Sequence, residues 1–137
     1  MMQDPQGLQQ VENPAAEAIL QLPAASLPAL EQLADKGYFV ARVDRAPVFD
    51  KPTLLHALYQ SCAMPAYFGF NWDALYDMLT DFSWKPARGY VLVFQDFGLL
   101  QQRAPQEAQT FLQIVREASQ ARQADQAPPL KLVLLEA

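Results

Sequence analysis

The chain has 137 residues, enough for one domain of ordinary size with a small appendage. Hydrophobic residues make up 51% and charged residues 18%, so it can bury a core and is not compositionally disordered. Ten Lys and Arg against fifteen Asp and Glu leave a formal charge of -5, which disfavours direct binding to nucleic acid or anionic membrane and favours a basic protein partner. A lone cysteine, Cys62, excludes an internal disulfide, and a lone histidine, His56, excludes a His-rich zinc site. The first residues lack the basic start and apolar core of a signal peptide. No apolar run approaches the roughly 20 residues needed to cross a bilayer. The expectation is a soluble, intracellular protein.

Residues 1–36 carry Pro5, Pro14, Pro23 and Pro28 and no aromatic residue. They read as a partly helical N-terminal extension, dispensable for folding, with residues 37–137 as the main domain. In the extension Leu27, Leu30 and Leu33 recur at helical spacing, with Ser26 as a cap and Gly37 as a stop. The stretch before Ala15 reads as loose. Tyr38–Val43 reads as a strand. Asp50 can cap a helix carrying Leu54, Leu55, Leu58 and Cys62 on one face, ended by Met64-Pro65. A second helix is predicted from Asn71 to about Thr80, with Leu75 and Leu79 inward. Tyr90–Phe94 is a continuous apolar run, as in a strand covered on both faces. Pro105 suits the first turn of a long helix with Ala108, Phe111, Leu112, Val115 and Ala118 as its apolar stripe. Pro128-Pro129 breaks the chain before a last strand, Leu130–Leu135. This order implies an α/β fold with a small parallel sheet and right-handed crossovers.

The stretch Pro52–Trp84 contains no Lys or Arg, but it holds Asp73, Asp77 and Asp81 and more than half of the aromatic residues. Aspartates spaced four apart share a helix face and repel one another by about 0.2–0.5 kcal/mol per pair. Asp73 gains from the helix dipole, whereas Asp81 sits at its unfavourable end. Helix stability therefore does not account for the row. Tyr67, Phe70, Trp72 and Tyr76 around the same acids are too many for a small core, and rings beside carboxylates suit a cationic partner. Gly69 is read as permitting a turn closed to other residues, and Asn71 as the helix cap.

The run Tyr67-Phe68-Gly69-Phe70-Asn71-Trp72-Asp73-Ala74-Leu75-Tyr76-Asp77-Met78-Leu79 resembles the signature of the barstar family, intracellular inhibitors of the ribonuclease barnase. Arg116-Glu117-Ala118 is similar to that family's later acidic contact. The resemblance covers roughly Tyr38 to Glu136. It implies a three-stranded parallel sheet flanked by helices, an inhibitor with no catalytic residues, and no cofactor or metal. It further implies that Asp77 enters a nuclease's basic active site in place of substrate phosphate, with Asp73 pairing with a neighbouring cation. Tyr67 and Tyr76 then pack on the partner, Gly69 and Asn71 shape the loop, and Glu117 adds charge at the edge. Phe70 and Trp72 make this loop more aromatic than the family's, and Trp72 joins the partner-binding set as a ring beside the acids. Tyr76 stands where the family has Trp, and both Phe82 and Trp84 compete for the tryptophan that follows the motif helix.

Other readings use the same residues. Asp77 and Glu117 could form a general acid/base pair, which needs carboxylates about 5–10 Å apart. His56 and Cys62 lie on rather different faces for a Cys–His dyad, and one helix face offers few converging oxygens for a metal. The same scaffold could also bind a non-nuclease protein or self-associate through its rings.

Overall fold

A computed structural model describes residues 5–136. Helix α1 (Pro5–Glu12) leads into strand β1 (Ile19–Pro23), a short 3-10 turn, helix α2 (Leu27–Gln32) and a second 3-10 turn. Strand β2 (Phe39–Arg42), helices α3 (Lys51–Ser61) and α4 (Trp72–Asp81) and strand β3 (Tyr90–Phe94) follow. Helices α5 (Phe97–Arg103) and α6 (Pro105–Ala124) and strand β4 (Leu130–Glu136) complete the described chain. The sheet is parallel throughout, in the order β1-β4-β3-β2. It has four strands, and the expected three-stranded sheet is corrected by β1, whose Ile19 sits opposite Leu132. Ile19–Pro23 is short and ends in proline, so its strand character comes from the neighbouring β4 and not from local preference.

Side chains alternate between the two faces of the central strands. Tyr90, Leu92 and Phe94 of β3 with Leu130, Leu132 and Leu134 of β4 join the larger core, packed under α3, α4, α5 and α6. Val91, Val93, Val133 and Leu135 meet Val11, Leu20, Leu22, Leu30 and Leu33 in a smaller core on the other face. The chain travels from β1 to β2 across the second face and returns from β2 to β4 across the first, so every crossover has the same hand.

The N-terminal segment is thus a layer of the protein. Residues read as loose before Ala15 include α1, whose Val11 is fully buried. Lys131 of β4 is 1% exposed and donates from Nζ to the carbonyls of Ala16 (2.6 Å) and Glu17 (3.0 Å). Burial lowers its pKa, with the nearby Glu17 charge opposing the shift. Stripping residues 1–25 removes an edge strand and takes Val11, Leu20 and Leu22 out of the smaller core, which argues against the expected dispensability.

Local signals are realised unevenly. Asp50 caps α3 in a reciprocal box with Thr53, accepting from its backbone N–H at 2.9 Å. Gly37 closes the turn after α2 at φ 92°, a conformation open to glycine. Ser26, expected as a cap, makes no capping hydrogen bond and lies buried as the last residue of the first 3-10 turn.

Candidate functional site

Asn71 starts α4. Its side-chain oxygen accepts from the Ala74 N–H at 2.8 Å, and its amide donates to the Gly69 carbonyl at 3.2 Å. One side chain therefore fixes both the helix start and the preceding loop. Leu75, Met78 and Leu79 point into the larger core, and α4 packs on α6. That choice of inner face leaves Asp73, Asp77 and Asp81 exposed together on the outer side.

Among the described residues the ion pairs are Lys36–Glu12 and Arg42–Glu31, neither of which involves α4. The Asp81 carboxylate accepts from Ser83 Oγ at 3.0 Å. The carboxylates of Asp73 and Asp77 have no hydrogen-bond or ion-pair partner among the described residues. The arginine at the end of the helix is engaged by backbone carbonyls. Arg122 of α6 is 3% exposed and donates to the carbonyls of Thr80 (3.0 Å), Leu79 (3.5 Å) and Asp81 (3.5 Å) at the end of α4. It also donates to Pro128 at 2.8 Å and lies over the Tyr90 ring at 4.9 Å. Burial lowers its pKa, opposed by nearby Tyr90 and Asp81. It counters the negative end of the helix dipole and the nearby Asp81 charge, and leaves Asp73 and Asp77 without a partner among the described residues.

The rings divide into two groups. Tyr67 is 71% exposed and Phe70 44%, the large hydrophobic side chains left open among the described residues. Trp72 and Tyr76 are half-buried against the larger core, and Lys51 Nζ sits 5.0 Å above the Trp72 ring. Phe82 and Trp84 both pack inward: Phe82 is 1% exposed, and the Trp84 indole N–H donates to the Cys62 carbonyl at 3.0 Å. Glu117 is exposed on α6, its carboxylate accepting from Gln113 at 2.8 Å.

The loop departs from expectation in one respect. Gly69 does not supply the left-handed turn; Phe70 does, at φ 53°. Gly69 matters for space instead, because a Cβ there would lie 3.1 Å from the Asn71 amide nitrogen. The sequence groups Phe70 with Tyr67, Trp72 and Tyr76 as rings beside the acids and gives it no separate role. Its run of aromatic neighbours was visible in the sequence, but a left-handed phenylalanine has no local signal.

Cys62 is fully buried and its thiol is pushed up to about 12 by that burial, which disfavours the thiolate that a Cys–His dyad with the exposed His56 would need. Among the described residues no three His, Cys, Asp or Glu converge to hold a metal ion.

The fold and this surface define a small parallel α/β protein that presents an acidic helix and an aromatic loop to solvent. A family model described as Barstar (barnase inhibitor) matches residues 38–134, and the chain belongs to that family. The match begins at β2, so α1, β1 and α2 precede it. A search of curated proteins returns no match. Among the described residues no helix is long and apolar enough to cross a membrane.

Proposed function

We propose that the protein is a cytoplasmic inhibitor that protects its own cell from a basic ribonuclease by filling the enzyme's phosphate-binding cleft with α4. Asp77, mid-helix, is the central anion and Asp73 pairs with a neighbouring cation. Tyr67, Trp72 and Tyr76 supply apolar contact, Gly69 and Asn71 set the loop, and Glu117 adds charge at the rim. The observation carrying this reading is the pair of bare carboxylates on Asp73 and Asp77, on a helix whose nearby arginine is engaged by carbonyls. An enzyme that cleaves RNA must hold phosphate with cationic side chains, and a fixed row of anions competes for the same groups. Bringing the acids preassembled on a helix spares the complex much of their ordering cost. Opposite charge on the two proteins makes encounter fast and salt-sensitive.

The test is a titration of the protein into barnase and other basic ribonucleases while RNA cleavage is followed. Stoichiometric loss of cleavage, relieved by Asp77→Ala, is the expected result. Undiminished cleavage in a saturated complex would sink the reading. The exposed Tyr67 and Phe70 favour a second one, binding of a non-nuclease protein or self-association. It predicts a complex without inhibition, or a dimer in sedimentation.

A further inference from the structure

Phe70 occupies the left-handed backbone region at φ 53°. For a bulky residue that conformation is an outlier, whereas Gly or Asn adopts it readily. The ring is also 44% exposed, and with Tyr67 it forms the open apolar surface of one loop. Two unfavourable features thus coincide at a single residue, a pattern that points to function when packing does not remove both.

Packing covers only part of the ring, which is 44% exposed. Phe68 lies 4.8 Å away and Tyr59 5.1 Å away, centroid to centroid, and His56 stacks at 6.4 Å. The ring also borders a groove of about 440 Å³ lined by Lys51, Pro52, Leu55 and the same His56 of α3. No carboxylate borders this groove and Lys51 does, so a cationic side chain is disfavoured there and an apolar one fits. The groove is tied to the acid row through Asn71, the residue after Phe70, which holds both loop and helix.

We propose that Phe70 is a specificity-determining contact. The basic protein whose cations meet Asp73 and Asp77 also carries an apolar side chain that packs on the Phe70 ring beside α3. This rests on the inhibitor reading above and deepens it. Charge alone lets α4 attract any cationic cleft, while a rigid ring at its edge rewards only a partner with a matching apolar projection. Such a contact acts after encounter, so it sets how long the complex lasts.

The test compares the parent with Phe70→Asn, which suits the left-handed backbone, and with Phe70→Leu, which keeps apolar packing towards Phe68. Barnase is the probe, and association and dissociation are followed separately by stopped flow over a range of salt. Both variants are expected to associate at the parent rate with the parent salt dependence, and to dissociate about tenfold faster or more. If Phe70→Asn fails to fold, Phe70→Leu carries the comparison. Dissociation at the parent rate, with Asp77→Ala still defective, overturns the proposal and leaves the inhibitor reading standing. An altered salt dependence also overturns it, because a ring that merely props the loop would displace the acids. If the parent forms no complex with barnase, the inhibitor reading falls for that enzyme and the Phe70 contact falls with it.

Discussion

The two sides of α4 are held to opposite standards. Beneath it, Leu75, Met78 and Leu79 are buried and a sequestered arginine satisfies three backbone carbonyls at its end. Above it, Asp73 and Asp77 lack partners, and the loop before it shows Tyr67 and Phe70 to solvent. The interior shows that this chain can compensate a charged or polar group when burial demands it. The bare outer face is therefore a property of the surface, of the kind a binding partner completes.

The largest expected effect separates those sides cleanly. Asp77→Ala removes one exposed anion, so inhibition should weaken by about 2–5 kcal/mol while the melting temperature stays within about 1 °C. Tight-binding inhibition assays and thermal melts on one preparation check it; a large drop in melting temperature would erase the distinction. Arg122→Met attacks the opposite side. It leaves the Thr80 and Pro128 carbonyls without their donor, and stability in urea unfolding should fall by about 1–3 kcal/mol. Asn71→Ala joins the two sides, because the cap belongs to the helix and its amide to the loop. About 1 kcal/mol of stability should be lost, with faster amide exchange at Gly69 and Phe70.

The smallest effect is a control remote from the acid row. Hydrogen bonds from Thr53 hold the Asp50 carboxyl below its ordinary pKa, so its ionised form is favoured in the folded chain. Its contribution is present above the unfolded value, near 3.9, and is lost as pH falls through the lower folded value. The difference in melting temperature between the parent and Asp50→Asn should therefore shrink on acidification below about pH 4.

The elements with complete local signals were legible in the sequence. Asp50 starts α3, Asn71 starts α4, and the Tyr90–Phe94 run is buried on both faces. The missed features depend on distant neighbours. Strand β1 exists because β4 lies beside it, and α1 because Val11 reaches the second face of the sheet. Within the loop, glycine's freedom suggested Gly69 as the left-handed residue. The ring contacts of Phe70 with Phe68 and Tyr59 show what offsets part of that strain where a phenylalanine takes the position. The exposed acids followed from helical spacing, because the apolar residues of α4 choose its inner face. The half-burial of Trp72 and Tyr76 did not, since it depends on how the surrounding helices pack.

The pairing of Ile19 with Leu132 has a kinetic side. An edge strand made early in synthesis must wait for a partner made near the last of the described residues, and such remote closure slows folding. Until then Leu20 and Leu22 have no sheet to join, and the nascent chain carries an unpaired sticky segment. Shortening the chain from its distal end should therefore harm the opposite terminus first, releasing the segment that Lys131 pins through Ala16 and Glu17.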